Sequence, residues 1–297
     1  MRIVSLLPST TEILFAVGAG PDVVGVTFEC DYPPAARTRR IVSTTTLPAG
    51  LTAAEIDTEV RARVAAGEDL YHLDGDALRE LRPDLVVTQD LCAVCAVDVA
   101  GVDQALEYLG CQAAVVTVDP MTLESVLDSI AELGRATGHQ AQADALVSGL
   151  RARLEGVAAA VARRPRPRVA VLEWTDPLFS AGHWIPDMIA AAGAESVLGQ
   201  AGARSQGIEA TSLAAADPDI VVVAPCGYRL EASARLAGDL VATGMVPARS
   251  QVWAVDADAA FVRPGPRVVD GVEALAAIAH PGVVEPRPVL AACLRAG

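Results

Sequence analysis

Two cysteines, spaced as Cys92-x-x-Cys95, are the residues of this 297-residue chain that most directly suggest chemistry. Such a pair can bind zinc or exchange thiols with disulfides, and here it follows a predicted strand, as a thioredoxin-like redox site requires. A zinc site needs two more ligands, and the sequence contains no second Cys-x-x-Cys pair. Because the flanking residues are apolar, we favour a buried turn, with a cytosolic redox or metal protein as the alternative.

His183 and Trp184 form a second group with chemical potential, in a loop after the first predicted strand of the second half of the chain. A His beside aromatic residues and glycine can ligate a metal or form a hydrogen bond with a ligand amide. The alternative is a structural His at the start of a helix that has Pro186 in its first turn. We predict that His183 and Trp184 contact a ligand, and His183 is the candidate metal ligand.

Aromatic residues are scarce, at 4% of the chain, so those in predicted loops need an explanation. Trp174 and Phe179 flank Asp176-Pro177 and can form a flat apolar wall for a large ligand, whereas packing under the loop is the alternative. Tyr32, in the rigid turn before Pro33-Pro34, either faces a ligand or supports the turn. These side chains favour a ligand with a broad apolar face.

A loop after the predicted strand 251–255 holds Asp258, Phe261 and Arg263 close together in the sequence. Polar groups set among apolar ones suit the recognition of a ligand that carries amide or phosphate groups. We therefore predict that all three residues contact the ligand.

Catalytic motifs are absent from the sequence, which has no Gly-rich phosphate loop, no Gly-x-Ser-x-Gly and no His-Glu-x-x-His. The four histidines lie in separate segments, and no nucleophile is paired with a base in the sequence. We therefore predict a binding protein that has no catalytic residues and no catalytic cofactor, rather than an enzyme.

The elements that must position these residues alternate between strand and helix patterns, which predicts βαβ units and mainly parallel sheets. The second half of the chain repeats the first, because residues 78–90 resemble residues 213–225, each with a helix end, Pro-Asp and a buried strand. We predict an α/β fold of two Rossmann-like lobes, residues 1–120 and 165–297. The ligand cleft is expected between the lobes, at the carboxyl ends of the strands.

Residues 121–164 have a helical pattern that differs from both lobes. Apolar residues recur at helical spacing from Leu123 to Val161, and prolines after position 164 end the pattern. We predict a long helix that joins the lobes, with Thr137-Gly138-His139 as the point at which it could divide into two pieces.

Composition and charge narrow the partners and the location. A net charge of −14 disfavours nucleic acid and anionic lipid, although an acidic surface could dock onto a basic face of a transporter. No run of about 18 apolar residues occurs, so we expect no membrane insertion. The first residues lack the pattern of a signal peptide, which indicates a cytoplasmic protein as written, or an extracytoplasmic one if a leader was trimmed.

Several motifs, in this order along the chain, resemble the cobalamin-binding proteins of ABC importers. These proteins belong to the helical-backbone (class III) periplasmic binding proteins, which also bind haem and iron siderophores. The motifs occupy residues 5–12, 30–34, 83–87, 89–95, 182–186 and 263–267. The resemblance covers nearly the whole chain, including the linking helix.

The resemblance implies that a corrinoid such as cobalamin is bound between the lobes and passed to the permease of an ABC transporter. It implies ligand contacts from the loops after the strands, at Tyr32, Gln89, Leu91, Trp174, Phe179, His183, Trp184, Asp258 and Arg263. If a protein side chain ligates the cobalt, His183 is the candidate axial ligand. Haem or a ferric siderophore is the alternative ligand, but a siderophore would favour several arginines, and only Arg263 clearly qualifies.

Overall fold

The computed structural model describes residues 1–89, 102 and 113–296. It divides the chain into two compact units, the first formed by Met1–Pro120 with Leu127–Val147 and the second by Met121–Val126 with Ser148–Gly297. Leu91 and the Cys92–Cys95 pair lie outside the described residues. The predicted lobe limits, residues 1–120 and 165–297, differ from the limits of these two compact units, and they stay a prediction.

Strands and helices alternate in the first unit. Its strands are β1 (Ile3–Ser5), β2 (Val23–Thr27), β3 (Arg40–Thr45), β4 (Tyr71–Leu73), β5 (Leu85–Thr88) and β6 (Ala114–Thr117). Within the described residues they form one sheet in the order β4-β3-β2-β1-β5-β6, and only the β3–β4 pair is antiparallel. The helices are α1 (Pro8–Ala16), α2 (Ala53–Ala66) and α3 (Gly75–Leu81), with 3-10 turns at Gly20–Asp22 and Pro34–Thr38.

Local sequence explains how α2 begins and ends and what the sheet buries. Thr52 and Glu55 form a reciprocal capping box at the start of α2, and Gly67 ends the helix in the left-handed region at φ 69°. Alternating apolar residues of the strands pack against α3 to form the core of this unit. The buried side chains of that core include Val4, Leu6, Val42, Leu78 and Val86.

The predicted linking helix is two helices, α4 (Leu123–Ala136) and α5 (Gln140–Val161). The break falls at the predicted position, where Gly138 has φ 75° and the His139 N–H donates to the Gly134 carbonyl. A Cβ on Gly134 would lie 2.3 Å from the Ala143 Cβ, so the two helices pack closely beside the turn. Arg151 of α5 pairs with Glu124 at the start of α4, which shows that the helices run antiparallel.

The second unit also has a mainly parallel centre. Its strands are β7 (Arg168–Thr175), β8 (Leu178–Ser180), β9 (Glu195–Ser196), β10 (Gln206–Gly207), β11 (Ile220–Val223), β12 (Gln251–Val255) and β13 (Ala291–Arg295). The order is β10-β8-β7-β11-β12-β13, with β9 beside β7; β7, β9, β11 and β12 are parallel, and β8, β10 and β13 pair antiparallel. The helices are α6 (Ile185–Ala191), α7 (Ala210–Ala216), α8 (Leu230–Ala242), α9 (Ala257–Ala260) and α10 (Val268–Ala279).

The sequence repeat corresponds to a repeated backbone arrangement. Arg82 and Asp217 end α3 and α7 with φ of 45° and 47°, and each is followed by Pro-Asp. The Asp84 carboxylate accepts from the Arg2 N–H at 2.7 Å, and the Asp219 carboxylate accepts from the Arg168 N–H at 2.8 Å. Asp84 thus joins the start of β5 to the start of β1, and Asp219 joins the start of β11 to the start of β7. The predicted two-lobed, mainly parallel α/β fold is confirmed.

None of the helices in the described part of the chain is long and apolar enough to cross a membrane.

Candidate functional site

Loops at the carboxyl ends of β7, β11 and β12 form one connected surface, which we call the second-unit edge. The Cys226 N–H donates to the Glu173 carbonyl at 3.2 Å, which joins the loop after β11 to the end of β7. The Asp258 N–H donates to the Tyr228 carbonyl at 3.2 Å, which joins that loop to α9 after β12. Parallel strands present ligand-binding loops at this end of a sheet, so the second-unit edge is where the fold favours a site.

The aromatic side chains of this edge come from a β-hairpin and a loop. Trp174 and Phe179, predicted to lie in a loop, are opposite each other in the β7–β8 strand pair. Trp174 meets Tyr228 edge to face, with ring centroids 5.8 Å apart and planes at 64°. Burial raises the pKa of the Tyr228 phenol above its ordinary value. Three rings therefore lie in sequence along the edge, and all are partly accessible.

His183, in the loop after β8, is held in an unusual backbone conformation. Its φ is 52°, in the left-handed region that few residues other than glycine adopt. Two backbone hydrogen bonds fix it: its N–H donates to Ala203 at 2.6 Å, and its carbonyl accepts from Gly202 at 3.1 Å. Burial, and then the positive charge of Arg204, lower the pKa of His183, which favours the neutral imidazole.

A short polar chain leads from His183 back to the end of β7. The Ser205 hydroxyl donates to the Glu173 carboxylate and lies 3.5 Å from Nδ1 of His183. The centroid of the Trp184 ring lies 5.6 Å from the His183 centroid. His183 thus presents a half-buried imidazole whose surroundings suit a metal or hydrogen-bonding ligand.

Trp184 and Phe261 lie beneath the edge rather than on it. Trp184 is 6% exposed and Phe261 is 0% exposed. The Trp184 indole N–H donates to the Phe261 carbonyl at 2.7 Å, which joins the His183 loop to the end of α9. In this conformation both side chains support the loops, and their predicted contact with a ligand stays a prediction.

Asp258 of α9 and Arg263, which follows this helix, form an ion pair. Arg263 Nη2 lies 3.4 Å from Asp258 Oδ2, and the two side chains are 12% and 15% exposed. Asp256 caps α9 by accepting the Ala259 N–H at 2.9 Å, which fixes where Asp258 emerges. The pair adds polar groups, held in place by the fold, to the aromatic edge.

The remaining predicted residues belong to the first unit. Tyr32 follows β2 and is 45% exposed, whereas Gln89 directly follows β5 and is 5% exposed. Leu91 lies outside the described residues, as do Cys92 and Cys95. Among the cysteines that are described, Cys30 is buried, and Cys226 and Cys293 are exposed. In the described ranges, His, Cys, Asp and Glu side chains form no group of three or more that could hold a metal ion.

Sequence reasoning missed three residues of the second-unit edge: Glu173, Ser205 and Tyr228. Tyr228 lies in the loop after the strand of the second repeat copy, so its place beyond a parallel strand was a usable signal. Ser205 has no such signal, because it reaches Glu173 and His183 only through the folding of a loop.

A surface cavity of about 620 Å³ lies elsewhere in the second unit, between α5, α10 and the segment before β13. Arg153 and Arg287 lie in it, and both pair with Glu273 and Asp270. The two arginines of this cavity are therefore already paired with carboxylates, and we place the candidate site at the second-unit edge.

Comparisons with known proteins agree with this architecture. A family model described as periplasmic binding protein matches residues 3–245. The chain is 26% identical over 288 residues to the uncharacterized ABC transporter substrate-binding lipoprotein YvrC of Bacillus subtilis (strain 168), covering 94% of this chain and 80% of the relative.

Solved structures are similar in fold. A periplasmic heme binding protein from Pseudomonas aeruginosa matches with a TM-score of 0.72 and 23% identity, covering 97% of this chain and 96% of that one. The periplasmic vitamin B12 binding protein BtuF of Vibrio cholerae matches with a TM-score of 0.63 and 19% identity, covering 94% of this chain and 98% of that one. At these identities the two structures establish a common fold.

Proposed function

Because this chain belongs to the periplasmic binding protein family, whose members bind solutes, we propose that it captures a corrinoid such as cobalamin for an ABC importer. The observation that carries the proposal is the second-unit edge, where Trp174 contacts Tyr228 and the Tyr228 carbonyl accepts from Asp258 of the Asp258–Arg263 pair. His183 is joined to the end of β7 through Ser205 and Glu173. A corrinoid has a broad flat ring, amide side chains and a central metal. Each of these features has a counterpart in this edge.

Capture, rather than conversion, is the proposed activity. Most polar groups of the edge are engaged in hydrogen bonds or ion pairs within the unit, so its loops are held before a ligand arrives. A preformed site loses less conformational entropy on binding, which favours affinity. Ligand contacts from Tyr32, Gln89 and Leu91, and a ligand position between the two lobes, remain part of the proposal.

Haem is the second candidate, and His183 is the observation that favours it. A neutral imidazole is a common axial ligand of haem iron, as it is of cobalt. The similar fold of the Pseudomonas heme binding protein supports haem, in the same way that the similar fold of BtuF supports a corrinoid. A ferric siderophore has less support, because Arg263, the arginine predicted to contact ligand, is paired with Asp258.

Delivery to a permease is proposed from the relatives. YvrC is described as an ABC transporter substrate-binding lipoprotein. The sequence left two locations open, cytoplasmic and extracytoplasmic. That relative and the family both support the extracytoplasmic one. The acidic chain, with a net charge of −14, would dock onto a basic permease surface.

The test is calorimetric titration of the protein with cyanocobalamin, aquocobalamin and haem, with visible spectra recorded in parallel. Dissociation constants of about 1 μM or tighter for either cobalamin support corrinoid capture, at about −8 kcal/mol. Binding of haem without binding of either cobalamin would exclude corrinoid capture and support haem as the ligand. No heat and no spectral change with any of the three would sink both candidates, and Cys92→Ser with Cys95→Ser would then test the redox alternative through loss of thiol–disulfide exchange.

A further inference from the structure

The polar chain from Glu173 through Ser205 to His183 carries a consequence for the protonation of the imidazole. A carboxylate can only accept hydrogen bonds, and a serine hydroxyl has one proton to donate. The Ser205 proton is donated to Glu173, so toward Nδ1 of His183 the Ser205 oxygen can act only as an acceptor. Nδ1 must therefore carry the imidazole proton for the two groups to bond.

The other ring nitrogen is then a free Lewis base. Nε2 of His183 forms no hydrogen bond to any residue in the described part of the chain, and the ring is only half-buried. The separation of 3.5 Å between Nδ1 and the Ser205 oxygen is at the outer limit of a hydrogen bond. Such contacts are often long before a ligand is bound and shorten when it is.

Backbone packing keeps this geometry in place. A Cβ on Gly182 would lie 2.5 Å from both the Ala203 carbonyl oxygen and the Ser205 nitrogen, so only glycine permits the two loops to touch. That approach places Ser205 next to His183, and the left-handed φ of His183 orients the ring.

We propose that Ser205 and Glu173 are positioning residues that hold His183 as the Nδ1–H tautomer, so that Nε2 binds the metal of the captured ligand. The inference rests on the proposed function and deepens it, because it names a class of ligand. The site selects flat metal chelates whose metal has an exchangeable axial position. On binding, a water molecule leaves the metal and the Nε2–metal bond forms, with no transfer of electrons or protons.

The selectivity is measured as the ratio of dissociation constants for cyanocobalamin, whose cyanide occupies the axial position, and aquocobalamin, whose water exchanges. We expect aquocobalamin to bind about 10- to 100-fold more tightly, with a shift of its visible bands. His183→Asn should reduce the ratio to about one. Ser205→Ala should lower the ratio about tenfold, and Ser205→Thr, which keeps the hydroxyl, should preserve it. Glu173→Gln should lower it as well, since the charge is removed.

The matched controls are His72→Asn, on the exposed edge strand β4, and Ser196→Ala, whose hydroxyl donates to Leu198 at 3.0 Å. Neither should change the ratio. The tautomer is read in the ligand-free protein by NMR of ¹⁵N-labelled histidine, which distinguishes Nδ1–H from Nε2–H without any ligand.

An Nε2–H tautomer, or a ratio that Ser205→Ala leaves unchanged, overturns the inference while corrinoid capture stands. Equal affinity for the two cobalamins in the wild-type protein also overturns it. If neither cobalamin nor haem binds, the proposed function fails, and the selectivity fails with it; the NMR measurement still decides the tautomer.

Discussion

At the scale of single residues, Trp174 and Tyr228 offer the most direct test of the aromatic edge. Their edge-to-face contact fixes both rings before a ligand arrives. We expect Trp174→Ala and Tyr228→Ala each to weaken binding of the preferred chelate about tenfold, since each removes about 1.4 kcal/mol of ring contact. Tyr228→Phe should bind within about twofold of wild type, because the ring and not the phenol makes this contact.

Trp253→Phe is the control for this prediction, because Trp253 lies on β12 and donates its indole N–H to Gln251 at 3.2 Å. The Trp253→Phe variant should bind the chelate with the same affinity as the wild-type protein. Full affinity in both alanine variants would exclude the second-unit edge as the ligand surface.

Glu273 is a second residue whose environment makes a measurable prediction. Burial tends to raise its pKa, but hydrogen bonds and charge interactions with Arg153 and Arg287 outweigh this and lower it below 4.5. A carboxylate whose pKa is lowered by folding stabilises the protein above the unfolded pKa, and that stability is lost as the pH falls through the folded value. Glu273→Gln should therefore lower the free energy of unfolding by about 2 kcal/mol at pH 7, and the deficit should shrink below about pH 4.5.

Urea unfolding followed by tryptophan fluorescence is the measurement, since the three tryptophans of the chain, Trp174, Trp184 and Trp253, all belong to the second unit. Glu231→Gln is the control, because its side chain is 89% exposed and its partner Arg235 is four residues away. That variant should change stability by less than about 0.5 kcal/mol. A deficit for Glu273→Gln that stays constant from pH 7 to pH 3 would contradict the assignment.

At the scale of elements, the contact between the His183 loop and residues 203–205 depends on Gly182. Gly182→Ala should lower the free energy of unfolding by about 2 kcal/mol, because the new methyl group meets backbone atoms that cannot move independently. It should also weaken chelate binding, since the loops that position His183 would separate.

Gly238→Ala is the matched control, because Gly238 lies in α8 and a Cβ there would have no heavy atom within 4 Å. It should stabilise the protein by about 0.5–1 kcal/mol through helix propensity. Equal stability of Gly182→Ala and the wild type in urea titrations would show that the two loops are not in close contact.

Elements also show what could be predicted from the sequence. The Pro-Asp strands and the helix break at 137–139 carry local signals, namely buried apolar runs, helix ends and glycine, and these predictions correspond to observed elements. The hairpin that holds Trp174 and Phe179 was predicted as a loop, because β8 has only three residues and no period is visible over so short a run. Ser205 escaped prediction for another reason: its partners are 32 and 22 residues distant, and no local pattern encodes such contacts.

At the scale of the whole molecule, net charge separates the candidate ligands. The chain carries a net charge of −14, so an anionic ligand approaches against a long-range repulsion, whereas a neutral one does not. Salt screens this repulsion, since the Debye length falls from about 30 Å at 0.01 M to about 3 Å at 1 M. Cyanocobalamin has no net charge, and hydrolysis of one side-chain amide to a carboxylate produces an anion of nearly the same shape.

We therefore expect the association rate constant of the carboxylate derivative, measured by stopped-flow absorbance, to rise several-fold between about 0.01 M and about 0.5 M salt. The rate constant of the neutral parent should change by less than about twofold over the same range. The pair isolates charge from shape, because the two ligands share the ring, the metal and all other amides. If association of the carboxylate derivative slows as salt is added, a local positive field at the ligand site outweighs the net charge of the protein. Anionic chelates such as haem would then become the favoured ligands.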